Sequence, residues 1–434
     1  MLAGIITLFG AMTNAEIASM IPETGGQYAY FDRIFGPFAA YLFGWALFAV
    51  MQTGSIAALA FVFAEAGSRI FHLPEFSAAT AAFSFHLPFI GDVKPWDQIG
   101  IKGLAVGLIV FLSTVNYLGV RFGGWVQNIS SIGKVSGMAL LVLAAFFTPG
   151  VGHAANLVNA SPVIHPHGFA MVAAIVAALQ GAFWAYDGWN KITFVAGEVK
   201  DPQRNVPRGL VWGMLIVTGI YLSMTLAYAY VMPIDEMAKS KFVAVDVAER
   251  CLAGGGKWIS VAIMISTFGA CNATVLASAR IYFSMARRNV FPQFLGVAHP
   301  RFHTPAASLV VQCLWSIVLL FTGTFDTLTD TLIFISWIFY AAVAYGVFVL
   351  RKREPDAPRS YRVPGYPVVP WIFVLFSLVY LVITVWNDVS TYRMHVAAHE
   401  PAFINSAFGA VLVLAGTPVY FYYRAKNRAG KAAA

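Results

Sequence analysis

The stretch FWAYDGWNKITFVAGEVKDPQRN, residues 183–205, ends an apolar run that begins near Gly168. Asp187, Gly188 and Lys191 interrupt this run, although the residues after them are again largely apolar. Charged side chains are costly inside a bilayer, and a glycine weakens a helix. The meaning of this interruption therefore depends on the class of protein that surrounds it.

The composition indicates a membrane protein. Apolar residues make up 59% of the chain and charged residues 11%, whereas charged residues are about a quarter of an ordinary soluble domain. A helix that crosses a bilayer needs roughly 20 apolar residues, and no alternating pattern of barrel strands is present. The sequence predicts an all-α polytopic protein, a single transmembrane domain over 1–434. Its eleven predicted spans are 1–20, 37–64, 101–119, 124–148, 168–197, 209–232, 258–284, 305–323, 330–350, 367–387 and 403–423.

The net charge of +8 is unevenly distributed between the two ends of the predicted spans. If successive loops alternate between the two sides, most lysines and arginines fall on one side. That side includes the cluster at 351–362 and the tail at 424–434. The richer side is cytoplasmic by the positive-inside rule. We therefore expect a cell-membrane protein with a cytoplasmic C-terminus, whose basic residues face the lipid bilayer and not a nucleic acid.

Motifs for catalysis, cofactors and metals are not evident. The three cysteines are scattered, so their spacing supports neither a disulfide framework nor a zinc site. No phosphate-binding glycine loop and no nucleophile elbow occurs in the sequence. We therefore expect no enzyme activity, no cofactor and no metal, and no accessory subunit is indicated.

Among the charged residues within the predicted spans, two stand out besides Asp187. Lys134 lies about ten residues, or roughly 15 Å, from the predicted cytoplasmic end of its helix. Its ammonium needs acceptors at that depth, so we expect a structural or coupling role in the centre of the bundle. Glu16 precedes the breaking residues Pro22 and Gly25, so we expect it near water, in a structural polar contact.

The opening stretch allows two interpretations on physical grounds. In the first, the span ends at 186 and the polar residues after it lie at the cytoplasmic interface. In the second, the helix breaks near Gly188 inside the membrane, since the apolar character of residues 192–197 makes the run longer than a bilayer requires. Backbone groups exposed by such a break are tolerated where they line a cavity, as in secondary transporters.

Five segments, in the same order along the chain, resemble the amino acid–polyamine–organocation superfamily, and especially its L-type amino acid transporter branch. The resemblance covers nearly the whole chain. The segments are GAMTNAEIASMIPETGGQYAYFDRIFG (10–36), VNYLGVRFGGWVQNISSIGKVSGMALL (115–141), FWAYDGWNKITFVAGEVKDPQRNVPRGL (183–210), STFGACNATVLASARIYFSMARRNVFPQFLGVAHPRFHTPAASL (266–309) and LRKREPDAPRSYRVPGYPVVP (350–370).

The resemblance implies a LeuT-like fold of two inverted repeats. Residues 1–148 would form an incomplete first repeat, 168–350 the second repeat, 367–423 two additional helices, and 424–434 a cytoplasmic tail. Members of the family have twelve helices, and this chain resembles them from the second helix onward. We therefore expect a late-assigned start or a fragment, with half of the substrate site outside the sequence.

The resemblance also assigns candidate site residues. Trp184 takes the position of an aromatic gate over the substrate. An unwound segment would follow, with free carbonyl groups that accept the ammonium of an amino acid. Its residues are Ala185, Tyr186, Asp187 and Gly188.

Lys134 matches a lysine near the position that sodium occupies in sodium-coupled relatives. Its fixed ammonium would replace the ion, with Ser266 and Thr267 as partners on the helix that matches the family's eighth. The alternative for the two hydroxyl residues is ordinary helix packing.

Asp187 is distinctive, because many relatives carry a small residue at its position. Three roles remain open for it: a charge that binds a substrate amino group, a protonation site, or an acceptor that fixes the broken helix.

The expected function is amino acid transport by alternating access. The transporter would be a sodium-independent exchanger (antiporter) or a proton-linked permease for neutral L-amino acids, with cationic ones as a second class. The alternative is a non-transporting membrane sensor, or a degenerate or truncated subunit with the same fold.

Overall fold

A computed structural model of the protein describes residues 1–23, 25–87, 91–119, 121–158, 166–240, 242–398 and 403–432. In this part of the chain, ten helices are long and apolar enough to cross a membrane, and an eleventh apolar helix is shorter. Each of the eleven predicted spans overlaps one of these helices. They are α1 (Leu2–Met20), α2 (Pro37–Ser68), α3 (Ile99–Leu118), α4 (Arg121–Phe147), α5 (Phe169–Tyr186), α6 (Pro202–Val231), α7 (Gly255–Arg287), α8 (Ala306–Thr322), α9 (Phe325–Arg353), α10 (Val368–Ala397) and α11 (Asn405–Asn427).

The remaining elements are short and connect the long helices. Strands Phe85–Leu87 and Gly91–Val93 form an antiparallel pair between α2 and α3. A wide π-helical turn, Leu47–Met51, lies within α2. The short α-helices are Gln27–Phe35, Ala78–Ala81, Ala155–Val158, Ile234–Met237 and Val243–Cys251, and the 3₁₀ helices are Lys191–Glu198 and Gln293–Gly296.

Several helices extend beyond the predicted apolar spans. The prediction for α6 began at 209, whereas the helix begins at Pro202, a residue suited to the first helical turn. The prediction for α9 began at 330, whereas the helix begins at Phe325 after the cap residue Thr324, whose hydroxyl accepts from Thr327 N. Hydropathy marks the part of a helix in contact with lipid, and polar capping residues add turns outside it.

Polar pairs fix the helices to one another inside the bundle. The amide of Asn116 on α3 donates to Asn272 Oδ1 on α7 at 2.8 Å, and Ser278 on α7 donates to Gln312 Oε1 on α8 at 2.8 Å. In a bilayer, such bonds and close packing replace the hydrophobic driving force between helices. They hold α7 in a fixed position against α3 and α8.

Aromatic packing positions the C-terminal end of α5. The ring of Phe183 lies 4.1 Å from that of Trp337 on α9 and 5.2 Å from that of Tyr380 on α10, centroid to centroid. All three rings are buried. The residues that follow Phe183 are therefore attached to a rigid support.

Glu16 joins three parts of the chain at one end of the bundle. Its carboxylate accepts from Arg351 Nε at 2.8 Å, from Arg351 Nη2 at 2.7 Å and from the backbone N–H of Val363 at 2.8 Å. Arg359 Nε lies 3.4 Å from it. The structural role expected for Glu16 agrees with these contacts, but the expectation that water reaches it was wrong. Glu16 is 1% exposed, because the loop after α9 folds over it.

We predict that Glu16→Gln destabilises the fold by about 3 kcal/mol, because a buried ion pair is broken and its arginines are left without a carboxylate. The unfolding temperature of the purified variant in detergent should fall by several degrees. The matched control is Glu23→Gln at an exposed position, which should leave it unchanged. Equal unfolding temperatures for the two variants would contradict the structural role of Glu16.

Candidate functional site

The apolar run that begins near Gly168 contains a break. α5 ends at Tyr186, Asp187 is extended with φ −61° and ψ 146°, and the chain resumes as the 3₁₀ helix Lys191–Glu198. Gly188 has φ +92°, a conformation that residues with a side chain rarely adopt. The predicted interruption is therefore confirmed, and glycine at 188 is the residue that permits it.

The backbone carbonyl groups around the break are mostly paired. Trp184 O accepts from Asp187 N at 3.0 Å, and Gly188 O accepts from Lys191 N at 3.0 Å. Ala185 O accepts from the Tyr221 hydroxyl at 2.8 Å. Within the segment 185–188 these bonds pair the carbonyl groups of Ala185 and Gly188, so those two are not free, whereas the expectation for Tyr186 and Asp187 stays a prediction. Each carbonyl oxygen nevertheless has a second lone pair for a ligand.

Asp187 is fixed by a hydroxyl group from another helix. The Tyr340 hydroxyl on α9 donates to Asp187 Oδ1 at 2.9 Å, and the Tyr340 ring lies edge-on to that of Trp189 at 5.4 Å. Three residues after Asp187, Asn190 Nδ2 donates to Gln27 Oε1 at 2.8 Å. The first contact has the geometry that the helix-fixing role of Asp187 requires. Its other two proposed roles stay predictions.

Lys191 is a component of the break that the sequence-based site did not include. Its Nζ donates to Thr274 Oγ1 on α7 at 3.0 Å, and its charge interacts with that of Asp187. Its stem covers Gly188, since a Cβ atom at that position would lie 3.3 Å from Lys191 Cε. The sequence contained one signal for Lys191. It is a second charged residue, four positions after Asp187, in the same interrupted run.

A cavity of about 630 Å³ lies beside the last turn of α5. Trp184, Ala185 and Tyr186 line it from α5, and Thr218 and Tyr221 line it from α6. Its volume lies in the range of small-molecule sites, roughly 300–1,000 Å³. Asp187 and Gly188 follow directly in the chain but are not among its lining residues.

Trp184 lies between this cavity and α9. Its ring meets that of Phe325 edge-on, with the centroids 4.9 Å apart. It is half-buried, so part of the ring faces the open space of the cavity. This position is compatible with the aromatic gate that the family resemblance implies, and that role stays a prediction.

A second cavity, of about 190 Å³, brings together Lys134, Ser266 and Thr267. It adjoins the first, since four residues line both: Met138, Met224, Tyr228 and Ile263. The Thr267 hydroxyl donates to Ile263 O at 2.7 Å within its own helix. In the described part of the chain, no hydrogen bond joins the Lys134 ammonium to either hydroxyl, so the partnership stays a prediction.

Comparison with known proteins assigns the family. A family model described as amino acid permease matches residues 1–397. The chain belongs to the amino acid permease family. This permease is 31% identical over 425 residues to the serine/threonine exchanger SteT of Bacillus subtilis (strain 168), a match that covers 97% of the chain and 86% of SteT.

Two mammalian relatives show similar identity. The b(0,+)-type amino acid transporter 1 of Homo sapiens is 30% identical over 375 residues, which cover 86% of the permease and 72% of the relative. The large neutral amino acids transporter small subunit 2 of Mus musculus is 31% identical over 421 residues, with 96% and 72% covered. The permease is accordingly a multi-pass membrane transporter for amino acids with the LeuT-like fold of its family, and its relatives are transporters, not enzymes.

We predict that Tyr340→Phe lowers the stability of the permease by about 1–2 kcal/mol, because the half-buried Asp187 carboxylate loses its donor. Thermal unfolding in detergent measures the change. Tyr345→Phe, which alters an exposed tyrosine on the same helix, is the matched control and should unfold as the parent protein does. If the two variants unfold alike, the Tyr340–Asp187 bond contributes nothing to the support of the break.

Proposed function

We propose that this permease is an exchanger for neutral L-amino acids in the cell membrane, with its C-terminus in the cytoplasm. The substrate binds between the end of α5 and α6, beside residues 184–188. The observation that carries the proposal is the helix break, together with the cavity of about 630 Å³ that lies against it.

The break supplies the polar groups that bind an amino acid. Its carbonyl oxygens are held in place by Tyr221 and by the turn itself, and their second lone pairs can accept from the substrate ammonium. Broken helices near the middle of the membrane are the usual substrate-binding elements of secondary transporters. The rings of Trp184 and Tyr186 supply apolar surface for the substrate side chain.

The names of the relatives support exchange and neutral substrates. SteT is named as an exchanger of serine and threonine, and the mouse relative as a transporter of large neutral amino acids. These relatives match almost the whole chain. The alternative of a non-transporting sensor is not favoured, because the named relatives are transporters.

Sodium is not required in this proposal. Lys134 lines the cavity next to the substrate cavity, together with Ser266 and Thr267 of α7. An ammonium on a fixed stem supplies at this position the positive charge that a bound sodium ion supplies in sodium-coupled relatives. Exchange without a coupling ion then needs only an amino acid on each side of the membrane.

The first prediction concerns ions. Uptake of labelled leucine by proteoliposomes that contain the permease and internal leucine should be the same in sodium and in choline buffer, within about twofold. Liposomes without internal amino acid are the control and should take up little label, because exchange needs a counter-substrate. A steep dependence on sodium would contradict the role proposed for Lys134.

The second prediction concerns substrate charge. Glutamate should compete poorly with leucine, because its second carboxylate would lie near that of Asp187 and lose hydration without an unpaired cation to compensate. In the Asp187→Gly variant, competition by glutamate relative to competition by leucine should increase by about tenfold. Preference of the parent protein for glutamate, or a substitution without effect on rate and selectivity, would leave Asp187 as a residue outside the substrate site.

A further inference from the structure

We infer that Lys191 neutralises Asp187 and thereby excludes cationic amino acids from the substrate site. This inference rests on the proposed function, since it concerns the charge selectivity of the same site. It assigns to Lys191 a specificity-determining role, whereas Asp187 alone would attract a substrate with a cationic side chain.

The two charged groups are held by hydroxyl groups from two different helices. Asp187 Oδ1 is bound by Tyr340 of α9 at 2.9 Å, and Lys191 Nζ is bound to Thr274 of α7 at 3.0 Å. The two side chains do not form a direct ion pair, and Lys191 Nζ lies beside Gly188, the residue next to Asp187 in the chain. Because each is fixed independently, neither is free to turn towards a substrate without losing its hydroxyl partner.

The fold of the break keeps the Lys191 ammonium beside Gly188, the neighbour of Asp187 in the chain. The lysine stem lies across Gly188, with Cδ, Cε and Nζ all within 3.3–3.5 Å of where a Cβ atom would be. A side chain at 188 would displace it. The glycine that permits the turn therefore also leaves room for the neutralising cation.

The balance of charge then determines which substrates enter. A positive or negative charge on a substrate side chain finds no unpaired counter-charge at the break. The cost of removing that charge from water is therefore not compensated. A neutral amino acid has no such side-chain charge.

The test is a cycle of four proteins: the parent, Lys191→Met, Asp187→Asn and the double variant. Each is reconstituted in proteoliposomes and loaded with leucine, and competition of external lysine, glutamate and leucine with labelled leucine is measured. The ratio of lysine to leucine competition within each protein is the readout, because it does not depend on expression or on the fraction that is active. Lys200→Met, at an exposed loop position, is the matched control.

In the Lys191→Met variant, the ratio of competition by external lysine to competition by leucine should rise by about tenfold, because Asp187 has lost its counter-charge. In the double variant this gain should disappear, and Lys191→Arg and Lys200→Met should both behave as the parent does. An unchanged ratio in Lys191→Met, or a gain that persists without Asp187, would overturn the inference. So would loss of leucine uptake in both Lys191→Met and Lys191→Gln while the proteins remain folded, since Lys191 would then be structural.

Failure of the proposed function has a different signature. If the parent protein takes up no leucine under exchange conditions, then the substrate assignment itself is wrong. If the parent exchanges leucine and the four ratios are equal, then only the role of Lys191 is wrong.

Discussion

A membrane-spanning chain must pair its backbone polar groups without help from water, and the structure of the substrate region follows from this constraint. The helix breaks at Asp187 and Gly188, and three carbonyl groups around the break are paired. Turn bonds pair the carbonyl groups of Trp184 and Gly188, and Tyr221 pairs that of Ala185. The support comes from other helices, so the break is a fixed feature and can present carbonyl oxygens to a ligand.

The same constraint applies to charge, and the permease meets it in two ways. Glu16 is surrounded by direct donors from Arg351 and the Val363 backbone. Such a group has little remaining capacity to bind anything else and serves to connect the ends of helices. Asp187 and Lys191 are instead balanced through space, each with one hydroxyl partner. A pair balanced in this way offers no unpaired charge to a substrate, which is what selection for neutral amino acids requires.

Much of the fold could be predicted from the sequence, because hydropathy and span length are local properties. The eleven spans and the interruption near Gly188 are present. The partners at the break could not be predicted, since Tyr340 and Thr274 lie 153 and 83 residues away from the groups they bind. The burial of Glu16 depends on a loop more than 340 residues away, so it was missed for the same reason. The roles of the candidate site residues, Trp184 to Gly188 and Lys134, remain predictions.

The most direct test of this account is an experimental structure of the permease with leucine bound. The account predicts density for the amino acid in the cavity between α5 and α6, with its ammonium within hydrogen-bonding distance of carbonyl oxygens of residues 184–188. Asp187 should remain bound to Tyr340, and Lys191 should remain bound to Thr274. Leucine bound away from the end of α5, or a helix that continues without a break through Gly188, would contradict it.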